Sequence, residues 1–202
     1  MKIKYCLAFL LLISLKSLAQ DHKTMIAAYR NQYAADFLSD AHSPLKKDDL
    51  QFLRFYDADS TYSVTATVKL LAKESPFVIP AFSGTGGNYE RYALLSFTLK
   101  GKPMQLTLYK SLALAQNPLY SDYLFLPFTD DTNSQTTYGG GRYIDMRTGD
   151  IKDDKLTIDF NKSYNPYCAF GSGYSCPKPP DENKLAIAVE AGEKLFVGAK
   201  VH

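Results

Sequence analysis

From Gln20 to about Leu38, apolar residues recur at three- and four-residue steps: Met25, Ile26, Tyr29, Tyr33 and Phe37. That spacing predicts an amphipathic helix with one packing face. Ser43-Pro44 then has the form of an N-cap followed by proline at the first helical position, so a short helical turn is expected through Leu50. Beyond it the period changes to two. Tyr62, Val64, Ala66, Val68 and Leu70 alternate with Ser63, Thr65, Thr67 and Lys69, the pattern of a strand with one wet face. Leu95, Phe97 and Leu99 alternate with polar neighbours, Gly101-Lys102-Pro103 turns the chain, and Met104, Leu106 and Leu108 continue the alternation as a hairpin. Further strands are expected at Phe77–Ala81, Tyr123–Phe128, Gly141–Asp145, Leu156–Phe160, Leu185–Val189 and Leu195–Val201. Many short strands after one helix predict a mainly β fold: a single antiparallel sandwich or partly open barrel carrying an N-terminal amphipathic helix. The expected organisation is a helical segment over 20–50 and a β domain over 51–202, with 20–202 as one structural unit.

The first nineteen residues change the picture of where the chain works. Lys2 and Lys4 precede an apolar run from Cys6 to Leu15, and Ser17-Leu18-Ala19 places small residues before a cleavage point. This is the pattern of a secretory signal peptide cut near Ala19. The run falls short of the roughly 20 apolar residues that a bilayer span requires. The expected product is exported, periplasmic or secreted, with no membrane span in the mature chain. Removing this leader takes three lysines and leaves 20 basic against 21 acidic residues, so the formal +2 of the whole chain becomes −1. Such a balance gives no reason to expect nucleic acid as a partner.

Export leaves Cys168 and Cys176 in an oxidising compartment, with seven residues between them that include Gly171, Ser172 and Gly173. A disulfide is expected there. The competing zinc site would space paired cysteines by two to four residues and need two more ligands, and His22, His42 and His202 are all distant in sequence. No metal and no cofactor are implied.

Several motifs divide between structural and chemical readings. Gly84-Thr85-Gly86-Gly87 has Tyr89 where a dinucleotide fingerprint needs its third glycine, so it reads as a hairpin loop. Asp130-Asp131-Thr132-Asn133 opens like a calcium loop, but Thr136 and Arg142 stand where glycine and glutamate belong, so a solvated turn is expected. Gly139, Gly140 and Gly141 are either a bulged turn into a strand or a bare backbone wall for a ligand, with Arg142 as an anion clamp. Asp159 and Asn161 close a strand, and Tyr164 and Asn165 follow in a turn stopped by Pro166. Crowded polar groups at a strand end either build a site or satisfy loop backbone. Arg142 and Asp159 are expected to lie close together. No serine elbow is present and no histidine stands near a strand-end cluster in sequence, so a Ser–His triad has no base. Asp159, Glu182 and Glu193 remain as carboxylates for general-base chemistry.

Two longer stretches then carry a family resemblance. One runs Leu126-Pro127-Phe128-Thr129-Asp130, Thr132, and Thr137 through Asp145. The other runs from Ile158-Asp159-Phe160-Asn161 through Tyr164-Asn165-Pro166 and Cys168 to Tyr174-Ser175-Cys176-Pro177, Glu182-Asn183 and Ala191-Gly192-Glu193-Lys194. Together they resemble the bacterial and archaeal domain-of-unknown-function 1684 family. The resemblance implies no established activity. It groups Arg142, Asp159, Asn161, Tyr164, Asn165, Glu182 and Asn183 as one candidate ligand-binding set. The favoured expectation is a binding module for a small anionic molecule. Its rivals are a structural envelope domain without a ligand and a hydrolase-like enzyme using Asp159 or Glu182 as base.

Overall fold

The computed structural model describes residues 2–72 and 75–200, with side chains from Gln20 onward. The expected signal peptide therefore falls where side chains lie outside the described residues. Among the described residues one α-helix, α1 (Lys2–Ser39), precedes seven strands: β1 (Ser63–Leu70), β2 (Phe77–Ile79), β3 (Gly87–Leu99), β4 (Lys102–Ser111), β5 (Tyr123–Phe128), β6 (Arg142–Arg147) and β7 (Lys155–Asp159). They form one antiparallel sheet in the order β6-β5-β4-β3-β1-β7, with β2 also paired to β3. β3 is long enough to take β2 at its start and β1 at its end along one edge. A bulge between Arg91 and Ala93 separates the two pairings, and such a bulge bends and twists the strand. The sheet curls into a half-barrel, so the mainly β architecture with an N-terminal helix holds.

Alternation sets the two faces. Leu95, Leu99, Leu106, Leu108, Leu124, Leu126, Ile144 and Ile158 fill the concave side. On the outer side Ile79, Tyr89, Tyr109, Phe125 and Tyr143 form a smaller aromatic layer. A third cluster of Phe37, Leu45 and Phe170 lies beneath α1. The helix packs through Ile26 and Phe37, which are buried, while Met25 of the expected face is 48% exposed.

Three expectations need correction. Ser43 does not cap a helix: its hydroxyl accepts from the Leu45 N–H and donates to the Leu45 carbonyl, making a local turn. The helical turn that follows is 3-10, over Lys47–Phe52, and is closed by Asp49 accepting from the Lys46 N–H. No strand forms at Leu185–Val189, nor at 195–200 of the expected last strand; Val201 lies outside the described residues. Leu185, Val189 and Ala191 are fully buried or nearly so. They enter the core one at a time from an irregular strap, whose backbone bonds partly to scattered backbone groups, as Leu185 N–H to Thr129 O, and partly to side chains, as Val189 to Arg142 and Asp130. Short apolar runs cannot distinguish the two arrangements by pattern alone.

Candidate functional site

The strap explains most of the motif residues. Arg142 begins β6 on the same face as Ile144 and Met146 and is fully buried. Its Nη1 donates to the carbonyls of Ala191 and Glu193, and its Nη2 donates to Val189 O (2.9 Å) and Asp130 Oδ2 (2.8 Å). Asp130 in turn accepts from the Thr132 hydroxyl and the Val189 N–H. The Asp130 turn is thus a turn, as expected, with Asp131, Ser134 and Gln135 exposed but Asp130 and Thr132 buried. The partner of Arg142 is Asp130, not Asp159, and its Nη donors are all committed to protein acceptors. No group remains on them to clamp an anion.

Asn183 fills a gap in the sheet. β4 and β5 share the register pair Tyr109–Phe125, which continued by two residues sets Thr107 opposite Pro127. Proline has no N–H to give. The buried Asn183 amide takes that place, donating to Thr107 O (2.8 Å) and Pro127 O (2.7 Å) and accepting from Thr107 N–H (2.7 Å). Asn161 does similar work, exchanging bonds with both backbone groups of Asp59. Asn165 donates from its backbone to Glu193 (2.8 Å) and from its amide to Lys194 O. Gly141 sits at φ +86° with its carbonyl-side neighbours close: a Cβ would stand 2.6 Å from Phe128 O. Gly139 and Gly140 are crowded by Ser134, Tyr138 and Phe82. Protein atoms, not open space, border all three glycines.

Glu182 lies apart on the outer face. Arg91 holds both its oxygens and Tyr109 donates to Oε1 at 2.6 Å. Burial tends to raise its pKa, but these partners outweigh it and hold the carboxyl below its usual range. Asp159, at the end of β7, accepts from Asn161 and meets His22 Nε2 at 3.0 Å. A histidine does reach a strand-end cluster, because α1 packs against the turn at the end of β7. Proximity in sequence gave no sign of it. The second ring nitrogen, His22 Nδ1, is sealed from solvent without a partner.

Among the candidates, Tyr164 opens onto a cleft. Its hydroxyl donates to Asp145 Oδ1 at 2.6 Å, and Tyr123 donates to the same oxygen at 2.7 Å. This cleft, about 620 Å³, runs between α1, β6 and the segment around the Cys168–Cys176 disulfide. Tyr29, Tyr33, Tyr143, Tyr164, Tyr167 and Tyr174 line it, with Asp36, Asp145 and Lys162 as its charged groups. Asp145 reaches solvent along the cleft, yet protein packs around it on most sides. That desolvation lifts its carboxyl above the ordinary range, against the pull of Tyr164, Tyr123 and Arg147. Behind Tyr33 sits Glu193, fully buried, accepting from the Tyr33 hydroxyl at 2.9 Å. Its burial pushes its pKa up to about 8.

Family comparison agrees with the motif pattern. The model of a family described as "Protein of unknown function (DUF1684)" matches residues 48–194. The chain belongs to this family. A solution NMR structure of an uncharacterised protein from Haloarcula marismortui is 32% identical to it, with a TM-score of 0.67 over 89% of this chain and 97% of that one. No curated protein matches. A match over 89% of the chain reaches well before residue 48, into the region that supplies Tyr29, Gln32, Tyr33 and Asp36 to the cleft. Sequence reasoning missed Asp145, Tyr33 and His22. The signal for Asp145 was present in β6, where Tyr143, Asp145 and Arg147 alternate with the core-facing Arg142, Ile144 and Met146.

Proposed function

We propose that this DUF1684 protein is an exported module that binds a small organic molecule in the tyrosine-lined cleft. The observation that carries the reading is the cleft itself: about 620 Å³ of concave, largely aromatic surface around one recessed, oriented carboxylate. Sites for small molecules have this size and this mixture of apolar wall and few polar groups. Of the residues grouped by the family motif, Tyr164 serves the site directly. Arg142 and Asn165 fix the strap, Asn183 the β4–β5 seam and Asn161 the turn at Asp59, and none of the four lines the cleft. Export is supported by the leader pattern. The disulfide is compatible with it, and among the described residues no helix is long and apolar enough to cross a membrane. The contacts of α1 with Asp159, Lys162 and Glu193 support folding of 20–202 as one unit.

The anionic ligand expected from Arg142 loses its support with that residue committed to Asp130. The hydrolytic reading gains none from the His22–Asp159 pair, whose outer nitrogen is sealed away from any substrate. A thermal-shift screen of small amines, sugars, carboxylates and aromatics tests the binding reading, run beside a Gln32→Trp variant that fills the cleft. Ligands that raise the wild-type Tm by several degrees should fail on the variant. Equal shifts on both proteins would place binding elsewhere and overturn it.

A further inference from the structure

Resting on the binding reading, the hydrogen-bond inventory of the cleft wall narrows its occupant. Every tyrosine that lines it has already donated its hydroxyl: Tyr29 to Lys162 O, Tyr33 to Glu193, Tyr143 to Pro177 O, Tyr164 to Asp145, Tyr167 to Asp40 and Tyr174 to His42 O. The Gln32 amide is bonded to Asp36, and the Ser175 hydroxyl to Ser83 O. Side-chain donors on the wall are thereby spent, apart from the second N–H of the Gln32 amide and the Lys162 ammonium, which lies 5.6 Å from the Tyr29 ring centroid.

What the wall still offers is electron-rich. Asp145 Oδ1 is held by two phenolic hydroxyls, whereas its Oδ2 makes no hydrogen bond among the described residues. Asp36 adds a second carboxylate, and the tyrosine rings present faces of negative potential. An anion would meet two carboxylates and one ammonium. A sugar brings as many acceptors as donors, and its acceptors would meet only Lys162 and one N–H of Gln32. A donor-rich cation with an apolar body satisfies both halves of the wall.

We infer that the cleft takes an organic ammonium ion, its N–H groups bonded to Asp145 and its carbon body laid against the tyrosine rings. Hydrogen bonding to a carboxylate and cation–π attraction then act on one group from two sides, in a recess where both are stronger than in bulk water.

Three probes that share one ring separate this from the alternatives: benzylammonium, benzyl alcohol and benzoate, titrated into the purified protein and followed by amide chemical shifts and calorimetry. Benzylammonium should bind about tenfold or more tighter than benzyl alcohol, with benzoate weakest and the shifts confined to the cleft. Asp145→Asn keeps an oxygen for both tyrosine hydroxyls and should abolish the preference while sparing benzyl alcohol. A second measurement does not depend on the variant: raising ionic strength should weaken benzylammonium and leave benzyl alcohol unchanged. Benzyl alcohol or benzoate binding in the cleft as tightly as benzylammonium would overturn the cation and leave the binding reading intact. Benzylammonium causing no shift at millimolar concentration would overturn it too, while the binding reading stands or falls with its own screen.

Discussion

At the scale of single residues, the guanidinium of Arg142 gives donors to three buried, alternate carbonyls of the strap, those of Val189, Ala191 and Glu193, and to one buried carboxylate. Arg142→Ala leaves Asp130 charged and uncompensated in the core, which should cost on the order of 3–5 kcal/mol in denaturant unfolding. A near-neutral result would mean that the strap does not depend on this residue. Asn183→Ala strands Thr107 N–H, Thr107 O and Pro127 O at the β4–β5 seam, and roughly 3 kcal/mol is expected by the same measurement. Glu193 acts through protons. Folded, it keeps its proton up to about pH 8, against an ordinary value of 4.5. Its contribution to stability is therefore whole below about pH 4.5 and is lost progressively as the pH rises through 8, because the folded state binds the extra proton. Stability should fall across that window, and Glu193→Gln should flatten the profile. An unchanged slope in the variant would assign the proton to another group. Asp145, also raised by burial, acts in the same direction.

At the scale of elements, α1 is joined to the β fold by His22, Tyr29, Arg30 and Tyr33 through polar contacts and by Phe37 through packing on Tyr167 and Phe170. Removing a buried phenyl ring typically costs 3–5 kcal/mol. Phe37→Ala should therefore release the C-terminal half of the helix first, seen as faster amide exchange over 30–39 while β3 and β4 stay protected. Uniform loss of protection would instead make the helix part of the global unfolding unit. These elements differ in how far the chain announces them. The α1 face, β1, the β3–β4 hairpin and β5 are legible because one side is wet and the alternation is clean. The strap is not legible, since Leu185 and Val189 have the spacing of a strand while their backbone partners are scattered over distant segments: Thr129 O for Leu185, and the Arg142 and Asp130 side chains for Val189. Arg142 was legible and misread: the alternation Arg142, Ile144, Met146 places it on the core face, where a clamp for solvent-borne anions has no access. His22 carries no pattern at all, and Glu193, although part of the motif, gives no sign there of its burial behind Tyr33. Their positions depend on where α1 crosses the sheet, a tertiary fact.

At the scale of the whole molecule, the two faces of the half-barrel divide the work. The concave side is filled with aliphatic side chains, while the outer side stays aromatic and is left open between α1 and β6 to form the cleft. One wall of that cleft is the segment closed by Cys168–Cys176, which carries Tyr174, Ser175 and Cys176 and abuts Tyr167. The opposite wall, on α1, has no covalent tie to it. Closing a loop of eight residues' separation should stabilise the fold by ~2–3 kcal/mol on chain-entropy grounds, less than the loss expected from Arg142→Ala. Reduction should therefore leave the protein folded but free the rim to spread. The contact of Tyr174 with His42 O and the packing of Tyr167 on Tyr174 would loosen with it. In the reduced protein the far-ultraviolet circular dichroism should be retained, while benzylammonium affinity falls severalfold and amide shifts on titration shrink at 167–177 more than at 142–147. Affinity unchanged by reduction would show that the binding surface is held by β6 and α1 alone, and that the disulfide stabilises the fold without shaping the site.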